Sequence, residues 1–234
     1  MPQDVNAIMV FAAGFGTRMG ELTRAQPKPL IRVNDAALLD HALDLADAAG
    51  IGRIVVNTHY LADQIVRHLG TRPDIALSHE ADEILETGGG LKQALPLLGR
   101  GPVLTLNSDA VWTGQNPLIQ LLQAWDPAEM DALLLLLPAP LTRGHRGTGD
   151  FVMDQAGRIR RAGGQPGLTY LGAQILKTDG LSAIPDRVFS LNRLWDQAIA
   201  EGRAFGLVHN GLWCDVGHPG GIAEAEQMLA EADG

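Results

Sequence analysis

Residues 7–30 read AIMVFAAGFGTRMGELTRAQPKPL, and this stretch decides the predicted fold. Residues 8–12 form a short, almost wholly apolar run, which favours a strand buried on both faces of a parallel sheet. The run ends at Ala13, where Gly14 and Gly16 allow the backbone to turn tightly and to approach a ligand with no side chain between. Successive N–H groups can then converge on an anion. The stretch therefore predicts a buried strand that leads into an anion-binding loop.

Two cationic side chains follow the glycine turn. Arg18 adds a fork of permanent hydrogen-bond donors for phosphate oxygens. Lys28 lies between Pro27 and Pro29, whose fixed φ angles hold this part of the chain extended. The combination predicts a phosphate-binding site. It is not the dinucleotide-binding fingerprint, because Met19 stands at the third glycine position, and it is not a Walker P-loop, since no Gly-Lys-Ser/Thr follows.

Beyond this stretch, strand and helix patterns alternate. Helical spacing at residues 38–46 is followed by a β-branched run at 53–58, a second helix at 61–69 and a strand at 75–78. Alternation of this kind predicts a parallel sheet whose ligand lies at the carboxyl ends of the strands. A glycine-containing turn between short strands at 150–161 predicts an antiparallel hairpin at the edge. The fold class is therefore α/β, with a mixed, mostly parallel sheet flanked by helices.

Composition narrows the range of partners. A chain of 234 residues, of which 46% are hydrophobic, is long enough for one complete α/β domain. The net charge of −9 argues against a nucleic-acid partner, because such binding depends on clustered Lys and Arg. The single cysteine, Cys214, excludes an intrachain disulfide and indicates a reducing compartment, so we expect a cytoplasmic protein. The longest aliphatic run, residues 133–137, is too short to span a membrane.

A second glycine-rich segment follows the third predicted strand. It reads HEADEILETGGGLKQAL from His79, with three consecutive glycines at Gly88–Gly90. A helical pattern continues through Leu91, Ala94 and Leu95. The sequence therefore predicts that the glycines precede a helix and leave backbone donors at its start open to a ligand.

An apolar strand at residues 103–106 ends in Asn107, Ser108 and Asp109. A carboxylate at the carboxyl end of a strand, beside a phosphate-binding loop, is placed to hold Mg²⁺, which takes one or two carboxylates together with phosphate oxygens and water. The alternative is that Asp109 caps a helix. We predict that Asp109 is a metal ligand.

Together these segments resemble the sugar-1-phosphate nucleotidyltransferases. Residues 12–19 match the family's Ala-Ala-Gly-x-Gly-Thr-Arg-Met loop, and residues 27–30 match its Pro-Lys-Pro-Leu; the chain departs at Gly20 and Glu21, where many relatives carry Arg-Pro. The resemblance implies a Rossmann-like nucleotidyltransferase fold in which Arg18 and Lys28 neutralise charge during transfer. It also implies that the loop binds the triphosphate through Ala12, Ala13, Gly14, Phe15, Gly16 and Thr17.

Two further motifs extend the resemblance to the base and the metal. Relatives with a Leu-Glu-Thr-Gly-Gly-Gly segment use it to hold the nucleotide base, which implies base-binding roles for Thr87, Gly88 and Glu80; the alternative for Glu80 is a solvated loop carboxylate. Residues 213–217 (WCDVG) resemble the family's Trp-x-Asp-Val-Gly-Thr-Pro, with His218 in place of the threonine. The resemblance implies that Asp215 is the second Mg²⁺ ligand beside Asp109.

The sugar site is predicted from the second half of the chain and from Asn107. The Gly-x-Gly-Asp-Phe sequence at residues 147–151 resembles the sugar-binding segment of the uridylyltransferase branch that acts on N-acetylmuramic acid 1-phosphate, which implies that Asp150 binds the sugar. Tyr170 and Gly172 match an aromatic-x-Gly that contacts the sugar in relatives, although Tyr170 is equally typical of a core residue. The basic residues of the segment 141–149 either meet a sugar phosphate or are solvated.

The resemblance implies one domain over residues 1–234, with a nucleotide-binding half at about 1–112 and a sugar-binding half at about 113–234. The expected reaction transfers a nucleotidyl group, UMP from UTP, to a sugar 1-phosphate, N-acetylmuramic acid 1-phosphate, with Mg²⁺ as cofactor. Alternative substrates are glucose or mannose 1-phosphate with UTP or GTP, and phosphocholine with CTP. A dinucleotide-binding oxidoreductase and a non-catalytic nucleotide sensor are the alternatives from other classes. The sequence does not indicate the oligomeric state.

Overall fold

A computed structural model describes residues 5–233 of the chain. Its helices are α1 (Leu38–Ala48), α2 (Ala62–His68), α3 (Glu86–Leu98), α4 (Pro117–Ala124), α5 (Asn192–Ala200) and α6 (Gly220–Asp233). Its strands are β1 (Ala7–Phe11), β2 (Arg32–Val33), β3 (Ala36–Ala37), β4 (Arg53–Thr58), β5 (Ile75–His79), β6 (Val103–Asn107), β7 (Ala110–Trp112), β8 (Ala132–Pro138), β9 (Phe151–Met153), β10 (Ile159–Arg161), β11 (Leu168–Leu176), β12 (Ala204–Val208) and β13 (Trp213–Asp215).

Nine of these strands form the central sheet. Strands β5, β4, β1 and β6 pair in parallel in that order, and β11 then runs antiparallel to β6. Strand β8 runs antiparallel to β11 and parallel to β12, and the hairpin of β9 and β10 joins the sheet at Leu168, the first residue of β11. Seven strands therefore point one way, and β10 and β11 oppose them. The predicted mixed, mostly parallel sheet is confirmed.

Strand β1 is buried on both faces, as its apolar sequence predicts. Ile8 and Val10 pack into a core that includes residues of α1 and α4, whereas Ala7 and Met9 pack into a second core with residues of α3 and α5. Because successive side chains of a strand point to opposite faces, an unbroken apolar run is what a sheet covered by helices on both sides requires. The molecule is thus a three-layer α/β/α structure.

The topology brings several loops to one edge of the sheet. Strands β1, β4, β5 and β6 are mutually parallel, so their carboxyl ends lie together and the segments that follow them converge there. A small antiparallel ribbon of β7 and β13 adjoins this edge and pairs Ala110 with Asp215. Within residues 5–233, no helix combines the length and hydropathy that crossing a membrane requires.

Candidate active site

An open cleft of about 320 Å³ lies at the carboxyl ends of β1, β4, β5 and β6. It is lined by most of the residues that the sequence places in the nucleotide and catalytic sites, by one predicted metal ligand and by one predicted sugar-binding residue. These are Ala12, Ala13, Gly14, Gly16, Thr17, Arg18, Lys28, Glu80, Thr87, Asn107 and Asp109. Asn57, Ile84 and Gly217 also line it and were not predicted.

The loop after β1 needs glycine at one position and leaves the other open. Gly16 has a φ of 64°, and a Cβ there would lie 2.8 Å from the Cβ of Lys28 and 2.9 Å from the Cγ2 of Thr23. The loop therefore packs directly on the stem of Lys28. At Gly14, by contrast, an added Cβ would have no heavy atom within 4 Å. The loop therefore contacts Lys28 and Thr23 at Gly16 and faces open space at Gly14.

Phe15, between the two glycines, is half exposed. Its ring packs edge-on against His59 and Tyr60, with centroid separations of 5.5 and 5.6 Å. The side chain thus braces the loop against the segment that follows β4. Phe15 is not among the residues that line the cleft, and its contact with the nucleotide stays a prediction.

Lys28 and Asp109 form an ion pair in the cleft. A short 3₁₀ turn at Lys28–Leu30 follows the extended Pro27, and the Nζ of Lys28 lies 2.7 Å from the Oδ2 of Asp109. Lys28 is buried, whereas the side chain of Asp109 keeps about a third of its surface exposed. A cation and a carboxylate are therefore fixed side by side on the cleft wall.

The ribbon of β7 and β13 brings the second predicted carboxylate to the first. Asp215 pairs with Ala110, and the backbone N–H of Val216 donates to the carbonyl of Asp109 at 2.8 Å. Burial, and then the charge of Asp109, raise the pKa of Asp215 above its ordinary value. The guanidinium of Arg18 lies 3.9 Å from the Asp215 carboxylate, so the two acids meet between two cations.

This pair suits a divalent cation. A buried carboxylate whose pKa is raised by a neighbouring negative charge is stabilised in its ionised form by a bound positive ion, and carboxylate oxygens are the ligands that Mg²⁺ prefers. Among residues 5–233, no group of three or more His, Cys, Asp and Glu is arranged as a metal site. An ion at Asp109 and Asp215 would therefore take its remaining ligands from phosphate oxygens and water, as Mg²⁺ does at phosphate sites.

A buried polar chain below the loop was missed by sequence reasoning. The N–H of Ala12 donates to the Oδ1 of Asn57 at 2.7 Å, and the Nδ2 of Asn57 donates to the Oε1 of Glu80 at 2.7 Å. The other Glu80 oxygen accepts the N–H of Leu85 at 2.8 Å. Asn57 is the one amide in the apolar run of β4, one residue before its end, and that position is the signal that identifies it.

The side chain of Glu80 has a supporting role inside the protein, and base binding at Glu80 stays a prediction. Its carboxylate is fully buried and both oxygens accept hydrogen bonds from the protein, so it does not present a free edge to a base. It instead joins Asn57, which holds the start of the glycine loop, to Leu85, which begins the segment expected to bind the base. Glu80 therefore positions both segments.

Comparison with known proteins identifies the family. The MobA-like NTP transferase domain matches residues 8–146. An N-acetylmuramate alpha-1-phosphate uridylyltransferase of Caulobacter vibrioides is 42% identical over 99% of this chain and 100% of its own length. The chain belongs to the sugar-phosphate nucleotidyltransferase family. Membership excludes the dinucleotide-binding oxidoreductase that the glycine turn left open.

A second relative agrees with this nucleotidyltransferase assignment, and a solved structure shares the fold. An N-acetylmuramate alpha-1-phosphate uridylyltransferase of Neisseria meningitidis is 34% identical over 94% of this chain and 96% of its own length. The crystal structure of HddC from Yersinia pseudotuberculosis, complexed with GMP-PN, superposes with a TM-score of 0.77 over 96% of this chain and 99% of that one. At 19% identity this likeness supports the fold.

The triple glycine of the nucleotidyltransferase does not lie where the sequence predicts. Gly88–Gly90 fall within the first turns of α3, which begins at Glu86, and the N–H groups of Gly88 and Gly89 both donate to the carbonyl of Phe189, at 2.9 and 3.0 Å. The prediction of open donors at Gly88 is therefore wrong. A Cβ would overlap the ring of Phe189 at Gly88 and the carbonyl of Arg187 at Gly89. These glycines make room for a neighbouring segment.

Thr87 borders the cleft but has a partner inside the protein. Its Oγ1 accepts the N–H of Leu191 at 3.0 Å, which ties the start of α3 to the segment before α5. Base binding by Thr87 stays a prediction, and it would depend on the surface that this hydroxyl still presents to the cleft.

The predicted sugar residues divide into two groups. Asn107 ends β6 and lines the cleft. Gly172 lies at an irregularity of β11 with a φ of 84°, and a Cβ there would lie 2.9 Å from the Asn107 side chain. Gly172 therefore makes room for Asn107. Sugar binding by Asn107 and by Gly172 stays a prediction.

Tyr170 and Asp150 belong to the framework around the hairpin. The ring of Tyr170 packs edge-on against Trp195 with a centroid separation of 4.8 Å, and burial raises the pKa of its hydroxyl. The structure thus favours the core role for Tyr170 over the predicted sugar contact. Asp150 is exposed, and its Oδ2 accepts the N–H of Tyr170 at 2.9 Å. Its other oxygen is the one that a sugar contact would use.

Proposed function

We propose that the enzyme transfers the uridylyl group of UTP to N-acetylmuramic acid 1-phosphate, giving the UDP-sugar and pyrophosphate. The convergence of Lys28, Asp109 and Arg18 on the cleft of one glycine loop, with Asp215 beside Arg18 at its edge, is the observation that carries the chemistry. The choice of substrates is supported by the relatives of that name, which align with nearly the whole chain.

The reaction needs no general base. A phosphate oxygen of the sugar 1-phosphate is already anionic, so it attacks the α-phosphorus of UTP directly. The new bond is P–O, and the bond between the α-phosphorus and the bridging oxygen breaks, so that pyrophosphate leaves with that electron pair. Positioning and charge neutralisation are therefore what the protein must supply.

Each residue of the cleft has a role in that proposal. The N–H groups of the loop and the guanidinium of Arg18 hold the leaving pyrophosphate, and Lys28 steadies the attacked phosphoryl group. Asp109 and Asp215 would hold Mg²⁺, because enzymes of this family typically use a divalent metal. The ion would neutralise phosphate charge. Glu80 and Asn57 hold the start of the glycine loop at a fixed position relative to Leu85, where the segment expected to bind the base begins.

Pyrophosphate release tests the proposal. Purified enzyme is assayed with each of UTP, CTP, GTP and ATP against N-acetylmuramic acid, N-acetylglucosamine, glucose and mannose 1-phosphates and phosphocholine, with Mg²⁺ or with EDTA. We expect the highest kcat/KM for UTP with N-acetylmuramic acid 1-phosphate, and no release with EDTA. A higher value for another pair would replace the proposed substrates. Binding of UTP without release on any acceptor would identify a sensor.

A further inference from the structure

A second cavity adjoins the cleft beside Asp215. It has a volume of about 630 Å³ and is lined by Arg18, His145, Arg146, His218 and Asp215, together with two glycines. Arg18 borders both cavities. One acid therefore faces two arginines and two histidines in a chain whose net charge is −9, so the local balance of charge is the reverse of the global one.

The loop that carries His145 and Arg146 is fixed to the metal-site ribbon. The N–H of Asp215 donates to the carbonyl of Arg143 at 2.9 Å, and the N–H of Arg143 donates to the carbonyl of Trp213 at 3.1 Å. Gly144 has a φ of 68°, and a Cβ there would overlap the carbonyl of Asp215. The position of this basic loop relative to Asp215 is thus set by the backbone.

The basic side chains of the cavity are available to a ligand. Arg143 is paired with Glu231 at 2.6 Å, whereas the exposed Arg146 has no hydrogen bond or ion pair with any residue between 5 and 233. The imidazole of His145 lies against Gly147 and that of His218 against Gly220, so that each ring occupies space a side chain would fill. An unpaired guanidinium beside two imidazoles is suited to an anion.

We propose that this cavity is a subsite for the carboxylate of the acceptor, with Arg146 as the residue that determines specificity. The inference rests on the proposed function, in which the acceptor carries two anionic groups on one sugar ring: the phosphate at C1 and the carboxylate of its lactyl ether. The phosphate must reach the Lys28–Asp109 pair. The carboxylate then requires cationic groups that the transfer step does not use. The adjoining cavity holds three such side chains, Arg146, His145 and His218.

The experiment compares two acceptors that differ only in the lactyl ether. Arg146→Gln is assayed with N-acetylmuramic acid 1-phosphate and with N-acetylglucosamine 1-phosphate, and an inhibition constant replaces kcat/KM if the second turns over too slowly. We expect kcat/KM for the first to fall by about ten- to a hundredfold, as for loss of a charge-assisted bidentate contact, and the value for the second to change less than twofold. Arg146→Lys should recover part of the loss.

A matched control variant and three possible outcomes test whether the cavity binds the carboxylate of the acceptor. Arg160→Gln removes an exposed arginine on β10 that does not line the cavity. This control variant should therefore leave kcat/KM unchanged for both acceptors. Equal losses on both acceptors, or a raised KM for UTP or for pyrophosphate in the reverse reaction, would assign the cavity to the triphosphate and overturn the subsite. A wild type that does not prefer N-acetylmuramic acid 1-phosphate refutes the proposed function. A wild type that prefers it, with the preference unchanged in Arg146→Gln, refutes the subsite alone.

Discussion

Two glycine-rich segments of this nucleotidyltransferase have similar sequences and opposite environments. In the loop after β1, Gly14 faces open space and Gly16 takes a positive φ angle against Lys28. In α3, Gly88 and Gly89 are buried, and the ring of Phe189 and the carbonyl of Arg187 occupy the space that their side chains would fill. The first segment leaves room for a ligand, whereas the second makes room for the protein itself.

The difference shows that glycine content does not by itself identify a phosphate-binding loop. What decides is the occupant of the space where the Cβ would lie. At Gly14 that space is open, at Gly16 it is taken by Lys28 and Thr23, and at Gly88 and Gly89 of α3 it is taken by Phe189 and Arg187. Mutations in the two regions should therefore act on different quantities, rate in the first and stability in the second.

The largest expected effect is on rate, at the cleft. Lys28→Met keeps the apolar stem beside Gly16 but removes the charge that lies 2.7 Å from Asp109. Loss of one charged contact to a reacting phosphate commonly costs about a hundredfold, so we expect kcat to fall by at least that factor. Pyrophosphate release by folded protein, checked by its melting curve, is the measurement. Turnover within a few-fold of wild type would remove Lys28 from the mechanism.

The next effect is on stability, and it separates the two glycine segments directly. Gly89→Ala puts a methyl group onto the carbonyl of Arg187, and overpacking of this kind costs about 1–3 kcal/mol in the free energy of unfolding. Gly14→Ala meets no atom within 4 Å and should leave the unfolding free energy unchanged while raising the KM for UTP. Urea denaturation and steady-state kinetics measure the two. A destabilised Gly14→Ala with a stable Gly89→Ala would reverse the comparison.

A smaller effect is expected where the loop meets its buried support. Glu80→Gln places an amide donor against either Asn57 or the N–H of Leu85, because Asn57 cannot turn over without releasing Ala12. An unsatisfied buried donor costs about 1–3 kcal/mol, so we expect about a tenfold loss of kcat/KM for UTP. The double variant with Asn57→Asp restores every donor–acceptor match and should recover most of that loss. If the two single losses simply add, the chain of hydrogen bonds does not position the loop.

The smallest effect concerns pH and stability, away from the cleft. Burial lowers the pKa of His209, whose ring packs against Trp112, accepts a hydrogen bond from the Nε2 of Gln120 and donates one to the carbonyl of Thr113. The unfolded chain binds the proton at about pH 6.5, and the folded protein only below that. The free energy of unfolding should therefore fall as the pH is lowered from the ordinary value to the depressed one. His209→Gln should flatten that dependence in denaturation curves; an unchanged slope would exclude His209 as its source.

Local patterns predicted the fold well. The apolar run of β1 and the strand–helix alternation after it depend on residues close together in the chain, and the structure confirms both. The boundary of α3 was wrong, because three glycines were read as a break although tertiary contacts with Phe189 hold them in the helix. Helix propensity was overridden there by packing.

The sequence by itself determined the order of strands and helices, the open glycine turn and the placement of Lys28 between prolines, since these depend on neighbouring residues. Only the tertiary structure decided that Asp109 and Asp215 meet, because a ribbon between distant segments brings them together. It also decided that Glu80 is buried beneath the loop with Asn57. Burial and charge pairing arise from contacts between parts of the chain that no local pattern relates.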